Sequence, residues 1–487
     1  MRARMAREGK DMSTDFIPVS ACARINGRLQ TPDATVDIID PYRGDVVGRM
    51  PISTTQDCDA ALDAARGCRA ALAGMPGYER AAMLRRIADT VAAGAALIGE
   101  AMARETGKAI RDCRAEVLRS AETLRLCAEE AVRIEGSHVP LDASGMGAGK
   151  LALTQRFPRG VVAAITPFNG PVNLAAHKLG PALASGNTIV IKPSPKAPLS
   201  LFLLIEAVHE AGVPEGAVNT LYGDAIAPQL VRDDRVDFVS FTGSIPVGRI
   251  IRQSGGLKPM SLELGGVGPT FVCADADIDA AAAACARNGL LLAGQSCISV
   301  QNVYVHRSLH ADFVERARAA AAAIRFGDPL DPQTEVGTLI DEQAAMRVEA
   351  TVQQAISAGA RPALSGSRQG AAVGATLLTD VAPTMTVVAE EIFGPVITVQ
   401  PFEHLDLVFQ QISDSPFGLQ MGIFTNSVDL ALKAHRQVRT GGVIVNGTSR
   451  WRSDQMPYGG VKDSGMGREG PRYAIQDMTE ERLLVFA

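Results

Sequence analysis

Hydrophobic and polar residues alternate along this chain with two different periods, and the change between them falls near residue 150. Through 54–73, 79–105 and 111–134 apolar residues recur three and four apart among alanines and charged residues, with Gly107 as a stop. Each stretch predicts a long amphipathic helix covering a larger body. An extended entry, Ile38-Ile39-Asp40-Pro41, precedes them. Residues 135–150 are rich in Gly, Ser and Pro, and 150–156 alternates with period two, predicting a strand that leaves the compact body. From Gly160 short apolar runs at 161–165, 188–191, 217–222 and 236–241 are separated by helical stretches such as 171–185 and 199–211. A second series follows: a strand at 270–272, an Ala-rich helix at 278–292, a strand at 300–305, a helix at 308–324, and strands at 396–399 and 442–445. Strands and helices in alternation imply parallel sheets with helices on both faces. The predicted fold class is α/β, with two doubly wound parallel sheets and a small additional β element. Ligands then belong at the carboxyl ends of the strands. The chain shows no internal repeat.

Composition narrows the function classes. A chain of 487 residues exceeds one ordinary core, so two or three domains are expected. A net charge of −5 gives no electrostatic footprint for nucleic acid or an anionic membrane, and neither is an expected partner. The longest apolar runs fall far short of the ~20 residues that span a bilayer. Met1 to Ser13 lacks the apolar core of a secretory signal, and Glu8 and Asp11 offset Arg2, Arg4 and Arg7, so a disordered leader is expected. The eight cysteines show no CxxC spacing and no nearby His cluster. That argues against a metal site and a disulfide framework and for a reducing, cytoplasmic location.

One cysteine stands apart. Cys297 lies in Gly294-Gln295-Ser296-Cys297-Ile298-Ser299, after a small-residue apolar run and before the 300–305 strand. Upstream stands Met260-Ser261-Leu262-Glu263-Leu264-Gly265-Gly266, a carboxylate between apolar residues and a glycine pair. A thiolate attacks carbon, and a semi-buried carboxylate works as a base near neutral pH. With Thr166-Pro167-Phe168-Asn169, Ile191-Lys192-Pro193-Ser194, Phe241-Thr242-Gly243-Ser244 and Glu391-Ile392-Phe393-Gly394-Pro395, the pair resembles the aldehyde dehydrogenase superfamily from about Ile25 to the C-terminus.

The resemblance implies two Rossmann-like domains: an NAD(P)-binding domain from 14–134 and 156–266, and a catalytic domain over 267–446. Segments 135–155 and 447–487 would form an oligomerisation and substrate-mouth element, in a homodimer or homotetramer. It implies Cys297 as nucleophile, the Asn169 amide and the Cys297 N–H as donors to the oxyanion, and Glu263 as the base that activates water on a thioester. Branches that pass the acyl group to coenzyme A typically lack this glutamate, so release of the free acid is expected. Gly243-Ser244-Ile245-Pro246-Val247-Gly248 is neither a dinucleotide fingerprint nor a P-loop, yet a strand, a glycine turn and a helix start offer N–H groups to a pyrophosphate. By resemblance Ser244 serves there, Lys192 meets the adenosine ribose, and Glu391 and Phe393 hold the nicotinamide ribose.

Pro195 replaces the acid that many NAD-preferring members carry, which leaves NAD and NADP both open, with Ser194 or Lys196 available to a phosphate. Asn173 and His177, four apart on one helix face, and Arg452, in Arg450-Trp451-Arg452, are candidate contacts for a small hydroxylated or anionic aldehyde. His177 is equally compatible with a satisfied core histidine, and the arginines with a subunit contact. The segment resembles lactaldehyde, phosphonoacetaldehyde and small semialdehyde branches. The alternatives are a coenzyme A-acylating member, a cysteine hydrolase with a histidine base at Cys297, and a non-catalytic relative.

Overall fold

A computed structural model describes residues 19–487. The expected leader 1–13, and residues 14–18 of the expected first domain, lie outside the described residues. The larger sheet has eight strands, in the order Gly465–Met466, Met260–Glu263, Phe238–Thr242, Val161–Ile165, Thr188–Lys192, Val218–Thr220, Arg24–Ile25 and Arg28–Leu29. Its five inner strands are parallel. They are buried throughout, which is why Val161–Ile165 and the Thr188–Lys192 strand read as near-continuous apolar runs rather than alternating ones. The edge strands add antiparallel pairings to this parallel core. After Val161–Ile165 the chain moves outward through Thr188–Lys192 to Val218–Thr220, then returns to pair Phe238–Thr242 on the other side. The crevice at this reversal is where an open α/β sheet takes its ligand.

The second sheet has seven strands, in the order Arg361–Leu364, Thr376–Thr379, Val396–Phe402, Asn302–His306, Thr270–Val272, Gln420–Phe424 and Gly442–Val445. All its pairings are parallel except the one made by Arg361–Leu364 at the edge. A separate antiparallel sheet joins Thr479–Phe486, Leu151–Pro158 and His138–Val139. The segment 447–487 is not one unit. Gly465–Met466 extends the first sheet, and the helix Pro471–Asp477 packs on the helix Pro171–Ala184.

Several elements differ from their predicted extents. The helix expected over 79–105 is two, Gly77–Ala93 and Ala95–Thr106, parted at Gly94, whose missing side chain weakens a helix interior. The helix expected to reach 292 ends at Leu290, because Leu292 and Ala293 turn left-handed. The strands Met260–Glu263 and Gln420–Phe424 and the helices Glu342–Ser357, Leu405–Asp414 and Val428–Gln437 had no predicted counterpart. Among the described residues no helix is long and apolar enough to cross a membrane, no His/Cys/Asp/Glu group is placed to hold a metal ion, and all eight cysteines are free.

Candidate active site

The helix Ile278–Leu290 delivers the chain to an unusual loop. Leu292 (φ 60°), Ala293 (φ 53°) and Gly294 (φ 72°) are all left-handed. Two of them are not glycine, and such strain persists only where the surroundings over-determine it. A Cβ on Gly294 would sit 1.9 Å from the carbonyl oxygen of Gly394, so this position needs glycine and locks the loop against the Glu391-to-Pro395 segment. Asn169 fastens the loop from the other side, its Nδ2 donating to the Gln295 carbonyl at 3.0 Å. Cys297 is thereby held half-buried, with Sγ 3.1 Å from the Tyr458 hydroxyl. Burial pushes its thiol up to about 12, and the charges of Glu391 and Glu263 add to that, while the Tyr458 hydrogen bond and Arg452 pull it back.

Two cavities meet at this thiol. The first, of about 820 Å³, lies over the reversal in the larger sheet, and its wall includes Lys192, Ser194, Gly243, Ser244, Glu391 and Phe393. Ser244 is the N-cap of the helix Ile245–Ser254 and makes no capping bond with its side chain, so the first N–H groups of that helix lack an internal partner. Lys192, at its strand end, pairs with Asp224 on the same wall, and Lys196 pairs with Asp341 at 2.9 Å. Glu391 Oε1 accepts from the Gly266 N–H at 3.1 Å, and burial pushes this carboxyl up to about 7. A Cβ on Gly265 would lie 2.5 Å from Glu391 Oε2, so that glycine makes room for the carboxylate. Phe393 meets Phe168 edge-on at 5.9 Å. A long cavity with unpaired helix N–H groups, a strand-end lysine and a well-placed carboxylate fits a nicotinamide dinucleotide.

Glu263 ends its strand inside this cavity, 2% exposed, with neither oxygen bonded to a described residue. Its carboxyl is held well above the ordinary range, first by burial and then by the negative charge of Glu469, while Arg452, Lys178 and Arg468 act in the opposite direction. Glu469 in turn takes Lys178 Nζ at 3.3 Å and Arg452 Nη2 at 2.9 Å. Lys178 also donates to Thr242 at 2.8 Å and Ser240 at 3.1 Å.

The second cavity, of about 680 Å³, opens on the other side of Cys297, between the helix Ile110–Ala131 and the segment after Val445, and its wall includes Asn169, Asn173, Ser296, Arg450, Trp451 and Arg452. Asn173 is on the wall, with its Oδ1 accepting from Thr123 Oγ1 at 3.1 Å. His177 lines neither cavity. It is buried behind Arg452, with Nε2 2.9 Å from Asp454 Oδ1 and 3.2 Å from Arg452 Nη2. This corrects the pocket-lining alternative for His177, whose ring serves the wall from behind. Arg452 is a wall residue, but its guanidinium is taken by Glu469 and lies 3.8 Å over the Tyr458 ring. No histidine lines either cavity, so the base that a cysteine hydrolase needs at Cys297 is missing among the described residues.

Sequence reasoning brought forward Cys297, Glu263, Asn169 and the cofactor-side residues, and the structure gathers these around one thiol. It missed Tyr458, Lys178, Glu469, Asp224 and Arg119. Only Lys178 carried a local signal, a charge beside His177 in a helix whose other residues from Leu174 to Leu183 are apolar or glycine.

Nearly all of the chain matches known proteins. Residues 29–484 match the aldehyde dehydrogenase family. A 3-sulfolactaldehyde dehydrogenase of Priestia aryabhattai is 41% identical over 463 residues, 95% of this chain and 97% of its own. Aldehyde dehydrogenase 21 of Physcomitrella patens, solved with its reaction product succinate, superposes with a TM-score of 0.93 at 35% identity, covering 96% of this chain and 98% of that one. The NADP-dependent glyceraldehyde-3-phosphate dehydrogenase of Bacillus halodurans, solved with NADP, gives a TM-score of 0.93 at 32% identity, over 96% and 99% of the two chains. The chain belongs to the aldehyde dehydrogenase family and is an NAD(P)-dependent oxidoreductase of aldehydes.

Proposed function

We propose that the protein oxidises a small polar aldehyde, hydroxylated or anionic and of about lactaldehyde size, to its free carboxylic acid. The observation that carries this is the junction of the two cavities at one thiol, with Glu263 on the cofactor side and Asn169 and Asn173 on the polar side. The names of the relatives agree with it: 3-sulfolactaldehyde for one, succinate as product for another.

The Cys297 thiolate adds to the aldehyde carbon, giving a thiohemiacetal whose oxyanion is met by the second N–H of the Asn169 amide and by the Cys297 backbone N–H. Donors fixed before reaction stabilise the charge without reorganising. A bound nicotinamide dinucleotide would supply the hydride acceptor, and Lys192, Ser194, Gly243, Ser244, Glu391 and Phe393 would hold it. Loss of hydride leaves a thioester on Cys297. Glu263, unbonded and next to the site, then takes a proton from water that attacks the acyl carbon, which returns the thiol and releases the acid. Tyr458 and Arg452 favour the thiolate, by a hydrogen bond and by positive charge respectively.

The enzyme is further proposed to be cytoplasmic and homo-oligomeric. Support for the second comes from the antiparallel sheet at Leu151–Pro158 and Thr479–Phe486, where Leu151, Leu483, Leu484, Val485 and Phe486 are exposed. An uncovered edge strand of this kind is a template for pairing with a second copy. Absorbance of NADH or NADPH formed with a panel of lactaldehyde, succinic semialdehyde, butanal, hexanal and benzaldehyde, with and without coenzyme A, tests the activity. Polar members should lead, with no dependence on coenzyme A. A tenfold lead for hexanal or benzaldehyde, or an absolute need for coenzyme A, overturns the reading.

A further inference from the structure

Four cationic side chains stand on the wall of the polar cavity, and three are already neutralised. Lys108 pairs with Glu116. Arg119 makes a forked pair with Asp454, Nε to Oδ2 and Nη2 to Oδ1, both at 2.8 Å. Arg452 is bonded to Glu469 at 2.9 Å. The two acids on the same wall are engaged as well. Glu116 also accepts the Val172 and Asn173 N–H groups at 3.0 and 3.1 Å, and Asp112 lies 3.7 Å from Arg111.

Arg450 is different. Among the described residues its guanidinium makes no ion pair and no hydrogen bond, and its Nε is shut off from solvent without a partner. Arg119 and Arg287 push on it with like charge, and Asp112 acts on it only through space. The Cys297 sulfur is close enough to feel its charge. A guanidinium remains protonated at any working pH, and desolvating one without a partner is costly. The cavity therefore carries one uncompensated positive charge, at the end of a wall that begins at the nucleophile.

We propose that Arg450 binds the charged end of an anionic aldehyde, a carboxylate, sulfonate or phosphonate a few bonds from the carbonyl. The inference rests on the reading of this site as one of aldehyde oxidation. The planar fork of the guanidinium matches the paired oxygens of such groups. Arg119 does not fill this role because Asp454 occupies its fork, and the charge of Arg452 is already met by Glu469 at Nη2. Trp451 and Leu291 on the same wall complete a pocket for a short chain between the anion and the thiol.

Two measurements test this separately from the activity. Isothermal titration with succinate, an unreactive anion, reads the site without chemistry: the unmodified enzyme should bind it, Arg450→Gln should weaken binding at least thirtyfold, and Arg450→Lys should restore part. Arg119→Gln should cost less than Arg450→Gln. Kinetics then compare succinic semialdehyde with butanal, which has the same carbon count. The ratio of kcat/KM, anionic over neutral, should fall about a hundredfold in Arg450→Gln, mostly through KM for the anionic substrate. Arg450→Lys guards against a folding defect, since it keeps the charge. Equal succinate affinity in the parent and Arg450→Gln, no succinate binding in either, or an unchanged kinetic ratio overturns the assignment. Turnover of no aldehyde by an enzyme that binds succinate through Arg450 would instead sink the aldehyde-oxidation reading and leave the anion site standing.

Discussion

At the scale of single residues the site is governed by how buried charges are shared. Glu263 must lose its proton to act as a base, yet burial and Glu469 hold that proton on. The base is therefore active above its pKa, and turnover limited by thioester hydrolysis should fall as pH drops through it. Glu469→Gln removes the negative neighbour and frees Lys178 and Arg452 to act on Glu263 undiminished. All three changes lower the Glu263 pKa, so the acid limb of the kcat–pH profile should move to lower pH. A limb that stays in place or moves up would mean that another group titrates. The roles proposed for Cys297, Glu263 and Asn169 could be read from the sequence because each sits in a local motif whose residue types suit one chemistry. The partners of Arg452 are not legible. Residue 178 is far in the chain from 452 and 469, no local pattern marks the pairing of 452 with 469, and only folding decides which arginine is neutralised and which is left free.

Secondary elements set where those residues stand. Five buried parallel strands place Thr166, Lys192 and Gly243 along one sheet edge, and the rhythm of apolar runs was enough to predict four of them. The strand carrying Glu263 escaped because Met-Ser-Leu-Glu alternates apolar and polar residues while every position is buried, against the usual two-faced reading. The left-handed turn before Cys297 was equally hidden, because Leu and Ala carry no sequence mark of positive φ. The strand ends also bear on cofactor choice. Pro195 supplies no acid, but Asp224, which opens the loop after Val218–Thr220, places one against Lys192. Both cofactors should be used, with efficiencies within about a hundredfold of each other. Asp224→Asn should raise the NADP-to-NAD ratio of kcat/KM about tenfold, near 1.4 kcal/mol, by removing a charge that opposes a 2′-phosphate. Pro195→Glu should lower the ratio. Unchanged ratios in both variants would show that the phosphate is read elsewhere.

On the scale of the whole molecule, the two large sheets and their loops supply the walls of the site, and the separate antiparallel flap lines neither cavity. The flap is only partly covered by its own chain: Leu483, Leu484 and Phe486 are more than half exposed. Light scattering should find a particle of at least twice the 51.2 kDa chain mass, and the double substitution Leu484→Glu, Phe486→Glu should shift it toward the monomer. A parent enzyme that is monomeric at micromolar concentration would contradict this. The central claim, covalent oxidation at the thiol where the two cavities meet, has a direct physical test. Glu263→Gln mixed with NAD or NADP and succinic semialdehyde should give a burst of reduced cofactor near one per site, followed by slow turnover. Intact mass should rise by the succinyl group, and peptide mapping should place it on Cys297. A full burst with no adduct, or an adduct on any other residue, would contradict the account.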